Sequence, residues 1–114
     1  MAYKVVRATA VARDLSLIFD FLYQAAQDFG DEPDVAFDRA ATRIREIETA
    51  MEGLGAVPFQ GTLRPELGPG LRSVTKGRAV FYFDADEKTE TVRLLAVFYG
   101  GQDHRARMLV RLLR

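Results

Sequence analysis

Arg72, Arg78, Tyr82, Tyr99 and His104 are the residues of this chain whose types suit chemistry on an anionic group. A guanidinium grips a phosphate with two parallel N–H donors and stabilises charge that develops on it. A phenol or an imidazole gives or takes a proton, and the unperturbed pKa of His, about 6.5, suits general acid–base work. His104 is the only histidine. Arg72 and Arg78 are therefore candidate phosphate clamps, with Tyr82, Tyr99 or His104 as proton-transfer groups. Plainer readings stand beside these. The two arginines can simply flank a hairpin, Tyr82 can pack beneath helices, and His104 can cap or decorate a terminal helix.

Other chemistry finds little support. Asp84, Asp86 and Glu87 are close in sequence, but in a polar stretch where acids make local turn hydrogen bonds. Gly68-Pro69-Gly70 lacks both the spacing and the following helix of a phosphate loop. The chain has no Cys, which removes disulfides, thiolate metal sites and cysteine nucleophiles. No metal and no cofactor is expected.

The elements that position these residues follow from hydrophobic period. Tyr3 to Ala8 is short and β-rich, and Thr9 is a plausible N-cap. Leu15, Ile18, Phe19, Leu22, Ala26 and Phe29 then recur at spacings of three and four, one face of a helix over 11–29. Asp14 is expected in its first turn, where an acid favours the helix dipole. Gly30 ends it. Asp31-Glu32-Pro33-Asp34 starts a second helix, with Phe37, Ala40, Ile44, Ile47, Met51 and Leu54 as its stripe. Thr42, Arg43, Glu46 and Thr49 fall largely off that stripe. A connection of two or three residues makes the two helices an antiparallel hairpin.

Residues 55–70 are rich in Gly and Pro and form an irregular connection. Beyond them the period becomes two. Residues 71–75 and 78–84 flank a Lys76-Gly77 turn, and a long strand runs from Thr91 to Tyr99. Its last six residues are apolar on both faces, as in a central, covered strand. Met108, Leu109, Leu112 and Leu113 predict a terminal helix carrying Arg105, Arg107, Arg111 and Arg114. The order β-α-α-β-β-β-α predicts an α+β fold, with the helical hairpin packed on one face of a mainly antiparallel sheet.

The 114 residues suit one domain spanning 1–114, and with 48% hydrophobic residues, eight Phe and four Tyr a core forms without staples. Lys4, Arg7, Arg13 and Asp14 interrupt any signal-peptide run, and no segment has the length of a membrane span. A soluble, cytoplasmic protein is expected. Net charge is zero, yet residues 1–59 carry six Lys/Arg against ten Asp/Glu, a balance of −4. Residues 60–114 carry ten against six, a balance of +4. Such a split marks either a nucleic-acid surface, an acidic partner, or two differently decorated solvent faces.

The motif order resembles the RelE/ParE toxin superfamily, closest to its ParE branch. Thr9-x-x-Ala12-x-Asp14-Leu15-x-x-Ile18 looks like the family's opening. Leu54-x-x-x-Pro58-x-x-Gly61, Arg64-x-Glu66-Leu67 and Gly70-Leu71-Arg72 look like its linker into the second strand. Arg78-Ala79-Val80-Phe81-Tyr82-Phe83 resembles its Arg-x-x-Tyr strand, with three residues instead of two between Arg78 and Tyr82. The segment 96–103 falls where many members have a His and an Arg before the Asp; here these are Tyr99 and Gln102, and His104 follows.

The resemblance implies the toxin of a type II toxin–antitoxin pair, partnered by a cognate antitoxin, ribbon-helix-helix in type. ParE-like members poison DNA gyrase. RelE-like members cleave messenger RNA on the ribosome, which requires a base for the 2′-hydroxyl, an acid for the leaving oxygen and cations for the phosphorane. Only Lys76 joins Arg72 and Arg78 near the hairpin, so the gyrase-binding branch is expected, leaning away from an enzyme. A degenerate member that only binds antitoxin is a third alternative. Arg72, Arg78, Arg105, Met108, Arg111 and Leu112 are the candidate contacts to target or antitoxin, an acidic amphipathic segment folding onto basic and apolar residues.

Overall fold

Helix α1 (Ala10–Asp28) stops where the sequence supplies a residue that tolerates left-handed backbone. Gly30 has φ +103, its N–H bonds Gln27 O at 2.9 Å, and the Asp31 N–H bonds Ala26 O at 3.0 Å. This is a Schellman closure, which satisfies carbonyls that the helix end would leave bare. Helix α2 (Pro33–Gly53) follows, with Pro33 in its first turn, where the missing N–H costs nothing. The connection is four residues, 29–32, one or two more than the spacing predicts, because the closure itself consumes Gly30 and Asp31.

The computed structural model describes residues 2–100 together with Met108 and Arg111. Around the two helices run β1 (Lys4–Arg7), a 3-10 turn (Leu54–Ala56), β2 (Thr62–Leu63), β3 (Arg72–Lys76), β4 (Ala79–Asp86) and β5 (Thr91–Tyr99). The five strands lie in the order β1-β5-β4-β3-β2. Three neighbouring pairs are antiparallel, and β1 runs parallel to β5 from Lys4↔Thr91 to Arg7↔Leu94. The helical hairpin is part of the crossover that a parallel pair requires. The fold is α+β as expected, with one strand more than predicted: Thr62 and Leu63 pair with Ser73 and Arg72 inside the stretch expected to be irregular. The terminal helix lies outside the described residues, except that Met108 and Arg111 have helical backbone.

The β3–β4 turn is Gly77-Arg78, one residue later than expected, since Lys76 pairs with Ala79. Gly77 has φ +64, the positive first position of a type II′ turn.

A β-bulge in β5 sorts the core into two faces. Tyr82 opposes Ala96, but Phe83 opposes Leu94, so Leu95 is an extra residue on β5. Leu94 and Val97, three positions apart, can then both face the helices with Val92, Phe81 and Phe83. Val11 and Ile18 of α1 and Ile47 and Met51 of α2 close over them. On the other face, Tyr82, Ala96 and Phe98 pack with Leu67, Leu71 and Met108. Two residues of the predicted stripes are exposed. Phe29 is 92% exposed beyond the end of α1, and Phe37 is 54% exposed with its ring edge-on to Phe19 at 5.2 Å.

Thr9 sits at the N-cap position without capping. Its backbone is already helical, φ −53 and ψ −38, and its side chain makes no cap hydrogen bond. Asp14 is likewise not a first-turn acid: it is the fifth residue of α1, and it is buried. Thr9→Ala should therefore cost under about 0.5 kcal/mol in urea denaturation, against about 1 kcal/mol for a working cap. A loss of the larger size would mean that the hydroxyl does cap the helix.

Candidate functional site

Tyr99 ends β5 on the face that carries the helices, opposite Ala79 in register. The Gly100 N–H bonds Arg78 O at 3.0 Å, which ties the end of β5 to the β3–β4 turn. Three elements meet there. Arg43 of α2 donates from Nε to the Tyr99 hydroxyl at 3.2 Å, and its Cζ lies 5.7 Å from the Tyr99 ring centre. Arg78 of the turn places its Cζ 5.6 Å from the same ring centre. Phe21 of α1 approaches that ring at 6.2 Å. One phenol thus carries two guanidiniums, each within cation–π range.

The Arg43 guanidinium is held from both sides. A Cβ on Gly77 would lie 2.5 Å from Arg43 Nη2, so the turn passes close against it. Its hydrogen bond to Tyr99, with Glu46 beside it at 3.4 Å, raises its pKa above the ordinary arginine value. Among the described residues, no carboxylate pairs with Arg78 or Lys76.

The other two described candidates stand elsewhere. Arg72 pairs in register with Phe83, four residues along β4 from Ala79, so it lies roughly 13 Å from the turn that carries Arg78. Its Nη1 donates to Phe59 O at 2.7 Å and its Cζ covers the Phe59 ring at 5.5 Å. Arg72 thereby fastens the loop after α2, and the pair expected to clamp one phosphate is separated. Tyr82 is buried on the face away from the helices, edge-on to Phe98 at 5.9 Å. The expectation that it packs beneath the helices is reversed by strand alternation: its neighbours Phe81 and Phe83 take the helical face. His104, Arg105 and Leu112 lie outside the described residues.

A second constellation escaped the sequence reading. β1 pairs with β5 only as far as Leu94, which leaves the rest of that β5 edge without a strand among the described residues. Asp14 Oδ2 accepts the Val97 N–H at 3.0 Å, and Arg111 Nη1 donates to Leu95 O at 3.1 Å. The two side chains join through Nη1–Oδ2 at 2.7 Å and Nη2–Oδ1 at 2.5 Å. Arg111 also covers the Phe98 ring at 5.5 Å, and its pKa is raised by the Asp14 hydrogen bonds. The bulge at Leu95 shapes the strand edge where this carbonyl meets Arg111. Asp14 was detectable, since Val11, Asp14 and Ile18 share the i, i+3, i+7 stripe and an acid on a buried stripe demands a partner. Met108 is fully buried in the cluster beneath, so Met108 and Arg111 are both engaged within the chain.

No three metal-ligating side chains converge among the described residues, and none of their helices is long and apolar enough to cross a membrane. Asp86 instead accepts the Lys88 and Thr89 N–H groups at 2.8 and 3.4 Å, and Asp84 pairs with Arg93 at 2.6 Å.

No family model and no curated protein matches the chain. Solved structures do. A chain of the chromosomal ParDE toxin–antitoxin system from P. aeruginosa superposes with a TM-score of 0.65 at 19% identity, covering 88% of this chain and 98% of that one. The chain has the RelE/ParE fold. The RelBE2 toxin–antitoxin complex from Mycobacterium tuberculosis is a further match, with a TM-score of 0.53 at 24% identity, covering 87% of this chain and 99% of that one. On this fold the end of β5 brings Tyr99 beside Arg43 of α2.

Proposed function

We propose that the protein is the toxin of a type II toxin–antitoxin pair, acting in the cytoplasm and neutralised by a cognate antitoxin, ribbon-helix-helix in type. We further propose that it stops growth by binding DNA gyrase and that it is not a nuclease. The observation that carries the second step is the scattering of the nuclease candidates. Phosphodiester cleavage needs cations, base and acid around one phosphorus. Of the four described candidates only Arg78 and Tyr99 meet, while Arg72 is tied to Phe59 and Tyr82 is buried on the opposite face. A binding toxin needs no such convergence.

Induction without antitoxin should arrest growth, and purified toxin should inhibit gyrase supercoiling and trap broken DNA. No inhibition and no breaks at saturating toxin would sink the gyrase reading, and absence of growth arrest would leave only a degenerate antitoxin binder. The meeting of Arg78 and Tyr99 favours one second reading, a ribosome-dependent endoribonuclease acting on messenger RNA. That reading fails if Arg78→Ala, Tyr99→Phe and His104→Ala all remain fully toxic.

A further inference from the structure

We propose that Arg43, Arg78 and Tyr99, with Phe21 at their side, receive a peptide carboxylate that has an apolar residue close to it in sequence. The peptide is a segment of the antitoxin, so this assignment rests on the toxin–antitoxin reading above.

Charge comes first. Two like charges beside one phenol ring repel each other, and among the described residues the only acid paired with either is Glu46, 59% exposed and 3.4 Å from Arg43. Lys76 adds a third positive charge at the same hairpin end. An incoming carboxylate relieves that repulsion and accepts charge-assisted hydrogen bonds from planar donors. Arg43 needs little ordering to do so, because the Tyr99 hydroxyl and the close backbone of Gly77 already fix its guanidinium. Pre-ordered donors lose less entropy on binding.

Apolar surface comes second. Phe21 touches Tyr99 and is 52% exposed, and Leu17, one helical turn earlier on α1, is 51% exposed. These side chains continue the cluster as a short apolar strip, suited to a residue that anchors the peptide beside its carboxylate.

Charge also selects against nucleic acid. Asp20 precedes Phe21 and is exposed, and Asp28, Asp38 and Glu46 are further exposed acids on the two helices. With Asp34 and Glu52 these make six exposed acids on α1 and α2 against three exposed arginines, Arg13, Arg39 and Arg45, a balance that disfavours a phosphate chain laid along the hairpin. A single carboxylate needs only the two guanidiniums.

The test uses the full chain and the antitoxin encoded beside it, with affinity measured by titration calorimetry or fluorescence anisotropy. Arg43→Gln and Arg78→Gln should each weaken binding about tenfold. Phe21→Ala should weaken it several-fold, and Arg78→Glu more than any of these. Substituting Lys for one Glu or Asp of the antitoxin should restore binding to Arg78→Glu but weaken binding to wild type. Thermal midpoints of the variants separate site loss from unfolding, and Arg43→Lys and Arg78→Lys serve if a Gln variant does not fold.

Antitoxin affinities within twofold of wild type for the Arg43 and Arg78 variants would overturn the site. Loss of single-stranded RNA binding in those variants with antitoxin binding intact would overturn it in favour of nucleic acid. If wild type itself binds no antitoxin, the toxin–antitoxin reading falls, an outcome distinct from failure of this site alone.

Discussion

Asp14→Ala should remove about 3 kcal/mol of folding stability, the low end of the range for breaking a buried ion pair. The low end applies because the Asp14 side chain is 3% exposed but Arg111 is 27% exposed, so water screens one partner. Two losses combine. Among the described residues Arg111 keeps its charge against Phe98 with only the Leu95 carbonyl as acceptor, and the Val97 N–H loses its acceptor at a strand edge. Asp14→Asn should lose less, since an amide oxygen still accepts from Val97. The hydrogen bonds to Asp14 raise the Arg111 pKa above the ordinary arginine value. A raised folded-state pKa gives stability that is complete below the unfolded value and lost only as pH rises through the folded one. The contribution of Arg111 is therefore constant through neutral pH. In urea the Asp14→Ala midpoint should fall with an unchanged slope, and a change below 1 kcal/mol would show that the pair contributes little.

That pair also marks where sequence reading fails and why. The helices and the long strand were legible because local periodicity encodes them: the stripe from Phe37 to Leu54 and the apolar run ending at Tyr99 need no tertiary knowledge. β2 was not, since two exposed residues, Thr62 and Leu63, have no period to detect. The parallel pairing of β1 with β5 joins residues 87 positions apart, and nothing in either strand announces its partner. The face of Tyr82 was readable in principle, because alternation puts it opposite Phe81 and Phe83. The separation of Arg72 from Arg78 followed once the turn was placed. A one-residue error in turn position exchanges the faces of a strand.

Half of the candidate site was visible. Arg78 and Tyr99 were named from their residue types, and they meet. Arg43 was set aside as a solvent-side residue of α2, which local pattern justifies. Its role arises because the end of β5 comes up beside the middle of that helix, bringing together residues 56 positions apart. Asp14 was placed correctly on α1 and misjudged in role. An acid near a helix start has a cheap local explanation, and the local explanation won over its place on the buried stripe.

Phe81→Ala is expected to cost about 3–5 kcal/mol, the usual range for deleting a fully buried aromatic ring. Phe81 is 0% exposed, opposite Val97 on β5, and belongs to the cluster that α1 and α2 close from above. The cavity would lie at the centre of that core, where helices and sheet restrain each other and collapse is least complete. Phe81→Leu keeps most of the volume and should cost under about 2 kcal/mol. A domain of this size has a total of about 5–15 kcal/mol, so Phe81→Ala alone can leave a large unfolded fraction at 37 °C. It would then lower abundance in cells and, on the proposed toxin function, abolish growth arrest without touching any binding surface. Arg78→Gln, on the exposed turn, should leave the urea midpoint nearly unchanged. Toxicity measured beside soluble abundance therefore separates the two, and equal abundance of Phe81→Ala and wild type would contradict the core assigned to Phe81.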